Sequence, residues 1–247
     1  MDRATLSSIA HRRHPVAAPV SEMRVERLLT RLEVPSGGTV VDLGCGSGAW
    51  VRRLVAARPD LHATAVDLVP HEVHFRDPVD SAITWVTADV TTWDAAPVDA
   101  VLVVGVEHAF GGLTGALHAV RRCTQRRGRA LVGVSFWETP PSVRATRELG
   151  LGADDLPDLA TAARAVTDAG CEIVDGHVST AEEWDDYEWS WTGTLVEYGL
   201  GDEGSKQDRA EALSAARGHR SGWLEGYRSA LGFVTFVVVP TESARSR

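Results

Sequence analysis

Glu107 and His108 follow the apolar run VLVVGV (101–106) and precede the glycine pair Gly111–Gly112. In an open parallel sheet, ligands bind just beyond the carboxyl ends of the strands. If VLVVGV is such a strand, both ionisable side chains stand where chemistry occurs. A histidine titrates near ~6.5 when unperturbed, so it can act as a base at neutral pH. It suits removal of a proton from a hydroxyl, thiol or acidic carbon while that atom attacks an electrophile. Glu107 would then assist, orienting a neighbour or fixing the turn. The competing use of His108 is structural: capping the next helix, or packing.

A second chemical stretch is VVDLGCGSGAW (40–50), where Gly44, Gly46 and Gly48 join a strand to a helix. Glycines there permit a tight turn and close approach of a ligand to backbone at a helix N-terminus. With Ala49 the pattern also meets the relaxed dinucleotide fingerprint, which keeps an NAD reading in play. Asp42 argues against it, because a carboxylate in the approach to the loop repels a pyrophosphate and suits an ammonium. Asp67, 23 residues past Gly44, ends the next apolar run, where a carboxylate can accept from both hydroxyls of a ribose. An adenosine carrying an amino-acid tail and no phosphate meets both demands. S-adenosylmethionine (SAM) is such a ligand.

The third stretch is EEWDDYEWSW (182–191), with three tryptophans, a tyrosine and five carboxylates in ten residues. At helical spacing Trp184, Tyr187, Glu188, Trp191 and Leu195 share one face. Packing of an aromatic stripe accounts for most of them, and for Trp223 and Tyr227 further on. It does not account for Glu188, since an unpaired buried carboxylate is costly. Glu188 is therefore expected to face a substrate cavity, either touching substrate or pairing with an arginine or histidine. Trp184, Tyr187 and Trp191 are expected to wall an aromatic or cationic substrate, and Trp137 and Glu138 to contact it from the loop after another strand.

These residues need a scaffold. Short apolar runs alternate with helical patterns, the signature of a parallel α/β sheet. Strands are expected at 39–44, 62–68, 82–89, 98–106, 128–136, 171–179 and 232–240. Helices are expected at roughly 21–33, 49–58, 113–125, 156–170, 181–200 and 205–231. The division that follows is an N-terminal lid segment 1–35, a core 36–180, a helical lid insertion 181–231, a final strand 232–240 and a tail 241–247, its SARSR end disordered.

Composition narrows the function classes. A net charge of −9 argues against an extended nucleic-acid footprint. The single lysine, Lys206, rules out a GxxxxGK[ST] phosphate loop and disfavours a Schiff base. Three widely spaced cysteines form no CxxC and fit a reducing compartment. With no long apolar run and no signal-like N-terminus, the sequence reads as a cytoplasmic chain that binds no membrane; a small-molecule partner, no nucleic acid, and a monomer or homodimer are separate expectations. HRRH (11–14) and HEVH (71–74) lack further metal ligands, so no metal is expected. The basic run RRCTQRRGR (121–129) suits a helix C-terminus, and GCGSG fails the GxSxG elbow.

DLGCGSG (42–48) resembles the signature of the class I SAM-dependent methyltransferases, with Asp67, Asp89 and VLVVGV where later motifs of that family fall. The resemblance covers roughly residues 36–136. It implies a Rossmann-like α/β fold with a seven-stranded, mostly parallel sheet, its last strand antiparallel between the fifth and sixth, and a helical lid insertion. It places Asp42 near the methionine ammonium, Gly44, Gly46 and Gly48 under methionine and ribose, Asp67 on the ribose, and Asp89 with Val90 at the adenine edge. Cys45, Leu68 and Gly105 complete the expected cofactor contacts. The two prolines in VPHEVHFRDPVDS (69–81) imply an irregular adenine wall.

At the end of the fourth strand this chain has GVEH, not the NPPY-like motif some nucleic-acid and protein methyltransferases carry. GVEHAFGG, VGVSFWETPPS and EEWDDYEW, with HRRHP (11–15), resemble a poorly characterised group of bacterial small-molecule methyltransferases. The implied activity is methyl transfer from SAM to a metabolite or natural product, leaving S-adenosylhomocysteine (SAH), with His108 as base and Glu107 and Glu188 in support. His11, Arg12 and His14 would contact substrate as the N-terminal segment closes over the cofactor. Two alternatives stay open: base-driven ring closure or rearrangement beside bound SAM, and a non-catalytic SAM-binding accessory protein.

Overall fold

The computed structural model describes residues 1–69, 78–94 and 96–241 of the 247-residue chain. HEVH and most of the proline-containing segment after Asp67 lie outside the described residues, as does the SARSR tail. In chain order the elements are α1 (Arg3–Ala10), α2 (Glu22–Thr30), β1 (Thr39–Leu43), α3 (Ala49–Ala57), β2 (His62–Asp67), α4 (Pro78–Ser81), β3 (Ile83–Thr87) and β4 (Val98–Val104). There follow α5 (Leu113–Cys123), β5 (Thr124–Trp137), α6 (Val143–Leu149), α7 (Leu159–Asp168), β6 (Cys171–Val178), α8 (Ala181–Leu200), α9 (Lys206–Gly222) and β7 (Leu231–Pro240).

The strands form one seven-stranded sheet in the order β3-β2-β1-β4-β5-β7-β6. β1 pairs in parallel with β2 and β4, and β4 with β5, whereas β6 and β7 are antiparallel. This is the Rossmann-like arrangement that the sequence led us to expect. Val101, Leu102, Val103, Leu131 and Val132 are fully buried, as continuous apolar runs in the middle of a parallel sheet should be.

The chain divides into two compact units. Among the described residues, a sheet unit takes in 21–135, 159–178 and 233–241, and a helical unit 1–20, 136–158 and 179–232. α2, read from the sequence as part of an N-terminal lid, groups with the sheet unit, where Arg27 and Arg31 hold Asp175 of β6 at 2.7 and 2.8 Å. Residues 136–158, read as core, group with the helical unit.

Several boundaries differ from the periodicity. Residues 156–158 are not helical, and Asp158 instead bridges Trp137. The expected helix 205–231 ends at Gly222 and continues as a π-helical turn, Trp223–Tyr227. α1 and α6 carry too few apolar residues to show a period. Asp2 caps α1 by accepting the Thr5 N–H at 2.8 Å, and Ile9 and Ala10 pack with Leu195, Ala212 and Ala216. Ser142 caps α6, and Ala145 packs on Trp223 and Tyr227. Helices this short depend on such packing, because an isolated turn is unstable.

Candidate active site

In the sheet unit, β1 delivers Asp42 and then the glycine loop. Gly44, Gly46 and Gly48 have φ of +74°, +51° and +72°, the left-handed region that only glycine enters without strain. A Cβ on Gly44 would lie 2.4 Å from Val106 Cγ2, and one on Gly48 2.4 Å from Trp85 Cη2. A Cβ on Gly46 would meet nothing within 4 Å, so the loop is open on that side. The Gly44 and Cys45 N–H groups donate to the Val66 carbonyl at 2.8 and 3.1 Å, locking the loop to β2.

Gly48 caps α3 without a side-chain hydrogen bond, and Asp42 takes over by accepting the Val51 N–H. Asp42 is 3% exposed, and its Oδ2 has no hydrogen-bond partner among the described residues. Burial pushes its carboxyl up to about 7, opposed by the Val51 N–H and reinforced by the Asp67 charge. Asp67 closes β2 and holds backbone with both oxygens: Oδ2 accepts from Gly46 at 2.8 Å and Oδ1 from Val69 at 3.0 Å. Cys45 is buried, and burial together with Asp42 and Asp67 pushes its thiol up, so it stays protonated.

The remaining expected cofactor contacts occupy the same strand ends. Leu68 is exposed and Val90 buried. Asp89 is exposed, and its Oδ1 accepts from the Thr91 N–H and Oγ1 at 2.9 and 2.7 Å, which holds its carboxyl below the ordinary value. Gly105, φ +72°, follows β4 and donates to the Gly133 carbonyl at 2.9 Å.

Glu107–Phe110 form a 3-10 turn after β4. His108 is exposed and makes no side-chain hydrogen bond among the described residues. It does not cap the following helix; Gly112 does, without any side-chain bond. Glu107 is half-buried, with an unpartnered Oε2. Burial pushes its carboxyl up, against the pull of the Glu107 and Ser135 N–H groups and of His108.

In the helical unit, α8 carries Glu188 at 2% exposure. Its Oε2 lies 2.7 Å from His219 Nε2 on α9, and its Oε1 accepts from the Tyr227 hydroxyl at 2.9 Å. Tyr227 Oη also lies 3.1 Å from His219 Nε2. Trp191 stacks on the His219 ring with centroids 4.0 Å apart. One turn away, Tyr187 Oη meets His11 Nε2 at 3.1 Å, and its ring takes His14 and Trp184 edge-on at 5.3 and 6.2 Å. Burial lowers the His11 pKa, and the neighbouring His14 and His219 charges lower it further. Glu188 therefore pairs with a histidine, one of the partners the sequence allowed.

Three expected substrate contacts stand apart from this cluster. Trp137 is 6% exposed and gives its indole N–H to the Ala153 carbonyl at 2.9 Å, so it is a core residue. Glu138 is exposed, and its backbone N–H donates to the Ala230 carbonyl at 2.8 Å. Arg12 pairs with Glu203 at 2.8 Å beside the Tyr198 ring, on an exposed face. Sequence reasoning passed over His219 and gave Tyr227 only a packing role. The available signal was the i, i+4, i+8 spacing of His219, Trp223 and Tyr227.

Residues 41–130 match the family described as a methyltransferase domain. The whole chain superposes on a SAM-dependent methyltransferase from Geobacter sulfurreducens crystallised with SAH. The TM-score is 0.79 at 20% identity, over 97% of this chain and 98% of that one. The fold is that of the class I SAM-dependent methyltransferases. YjhP of E. coli is similar too, with a TM-score of 0.80 at 20% identity over 95% of this chain and 99% of that one. A trans-aconitate 2-methyltransferase from Azoarcus sp. (strain BH72) is 34% identical over 80 residues, 32% of each chain. The matched stretch thus spans about a third of that relative's length. It is the methyltransferase domain, not the helical unit, that carries the family match: the matched residues 41–130 lie wholly in the sheet unit.

Proposed function

We propose that the protein transfers the methyl group of SAM to a small-molecule acceptor and releases SAH. The observation that carries this reading is the buried, unpartnered Oδ2 of Asp42 beneath a glycine loop held by Asp67. An ammonium satisfies that oxygen, whereas a pyrophosphate would meet a repelling charge. This favours SAM over NAD, which carries a pyrophosphate and no ammonium. The open side of Gly46 lets a ligand approach backbone. An ionised carboxylate has about four lone-pair positions, so Asp67 can hold two N–H groups and still accept from ribose hydroxyls. Leu68 and Val90 offer apolar surface for the adenine, with Asp89 at its edge and Gly105 beside the methionine. When bound, SAM supplies an electrophilic methyl on a sulfonium.

His108, exposed and uncommitted at the end of β4, takes the proton of the acceptor. Glu107 next to it, a carboxylate with a buried unpartnered oxygen, stabilises the imidazolium that results. A relative named for methyl transfer to trans-aconitate supports a small-molecule acceptor. Calorimetric titration with SAM, SAH and NAD, followed by detection of SAH over an acceptor panel, tests the reading. Micromolar binding of SAM and SAH with none of NAD, and SAH release, is the expected result. NAD binding alone overturns the cofactor, and SAM binding without SAH release overturns methyl transfer.

A further inference from the structure

Two neighbouring strands of the sheet unit each lead to a buried carboxylate oxygen without a hydrogen-bond partner among the described residues: Asp42 Oδ2 on β1 and Glu107 Oε2 after β4. The ammonium of SAM accounts for the first. Glu107 is held beside the same loop by packing within that unit. β1 and β4 pair with Asp42 opposite Leu102. Val106, the residue before Glu107, packs so close to Gly44 that a Cβ there would lie 2.4 Å from its Cγ2. On the other flank, Gly105 donates to the Gly133 carbonyl of β5 at 2.9 Å, and the Ser135 N–H faces the Glu107 carboxylate.

The N–H groups of Glu107 and Ser135 favour the charged form of this carboxyl, which burial opposes. Neither satisfies Oε2. A carboxylate that only fixed the turn would need no open oxygen. A carboxylate oxygen out of water demands a donor, and a cationic donor bonds it most strongly. The next residue, His108, is exposed and makes no side-chain hydrogen bond among the described residues. Two proton acceptors thus follow one another at the end of β4. An attacking atom that serves both needs two hydrogens, one to keep on Glu107 and one to give to His108. A hydroxyl or a thiol has one, and a carboxylate has none. An ammonium has enough.

We propose that the acceptor is an amine, bound as its ammonium with one N–H donated to Glu107 Oε2. This rests on the methyl-transfer reading and uses residues of the sheet unit alone. A second N–H proton passes to His108, which frees the nitrogen lone pair. The N–C bond then forms as the C–S bond of SAM breaks, its electron pair staying on sulfur in SAH. The product leaves as a methylammonium, and His108 returns its proton to water. Glu107 keeps one N–H throughout, and its charge also balances the imidazolium beside it. A protonated Glu107 would instead donate into the lone pair that must attack.

The test is SAH release with amines set against the alcohols, thiols and carboxylates of the same skeletons. Amines are expected to turn over ahead of the other three. Glu107→Gln keeps the shape of the side chain and removes its charge. It should raise the amine KM about 10–100-fold, the effect of losing one charge-assisted hydrogen bond, with SAM affinity and Tm nearly unchanged. Turnover confined to alcohols, thiols or carboxylates overturns the proposal, and so does amine turnover whose KM Glu107→Gln leaves alone. If SAM binds but no acceptor yields SAH, the methyl-transfer reading fails by itself. Calorimetric titration of benzylamine into the SAH complex then decides the proposal. Binding that benzyl alcohol does not share and Glu107→Gln abolishes upholds the ammonium site, and any other result ends it.

Discussion

Asp42 and Glu188 are both buried carboxylates, 3% and 2% exposed, and they are treated in opposite ways. Glu188 has each oxygen filled, one by His219 and one by Tyr227, and its work is to hold those two groups. Asp42 gains one backbone N–H and keeps an oxygen empty, and its burial pushes the carboxyl up to about 7. A satisfied buried charge fixes its neighbours, whereas an unsatisfied one costs stability until a ligand completes it. Glu188 is thus satisfied by its own unit, whereas Asp42 keeps an unfilled oxygen. Glu107, with its own unpartnered oxygen, belongs with Asp42.

That contrast can be broken most forcefully at His108, beside Glu107. Loss of a general base typically costs about 10²–10⁴-fold in rate, so His108→Gln should lower kcat on that scale with SAM affinity unchanged. A large loss of SAM binding instead would make His108 structural. Next in size is Glu188→Ala, which strips two hydrogen bonds from a filled site and opens a void. A loss of about 2–4 kcal/mol, read by denaturant unfolding, is expected, with SAM binding retained. An unchanged stability would remove Glu188 from the class of structural carboxylates.

Within the glycine loop, Gly44→Ala combines left-handed strain with the Val106 clash and should destabilise by about 2–4 kcal/mol. Gly46→Ala meets open space and should cost only about 1–2 kcal/mol, while still weakening SAM by crowding the ligand face. Equal costs at the two positions would mean that the loop geometry is wrong.

A pH dependence is centred on Asp42. Its folded pKa is raised from 3.8 to about 7, so the native state holds a proton that the unfolded chain has lost across that interval. Its contribution to stability therefore falls as pH rises from about 4 to 7, and Asp42→Asn should raise Tm at pH 8 more than at pH 4. An ammonium needs the ionised form, so SAM affinity should drop about tenfold from pH 8 to pH 6, and calorimetry at both values checks the sign.

The sheet unit was largely legible because its information is local. DLGCGSG places a carboxylate, three glycines and a helix start within seven residues, and the strand-end Asp67 follows from one more apolar run. Residues of the helical unit were legible only in part. The face shared by Tyr187, Glu188 and Trp191 follows from helical period, but Trp137, read from the sequence as a ligand-side loop residue, ends β5 at 6% exposure with its indole N–H on the Ala153 carbonyl. α6 carried a cap at Ser142 and a terminating Gly150, signals too short to weigh against the loops around them.

By itself the sequence determined the parallel sheet, the loop that ends its first strand, and the residue types available at each strand end. Period and turn chemistry act over a few residues, and a chain can display them without being folded. Only the tertiary structure decided which buried carboxylate would be satisfied. Glu188 meets His219 across 31 residues and Tyr227 across 39, and His11 meets Tyr187 across 176. Partners that distant leave no spacing to read, because a hydrogen bond depends on where two helices place their side chains and not on how far apart those lie along the chain.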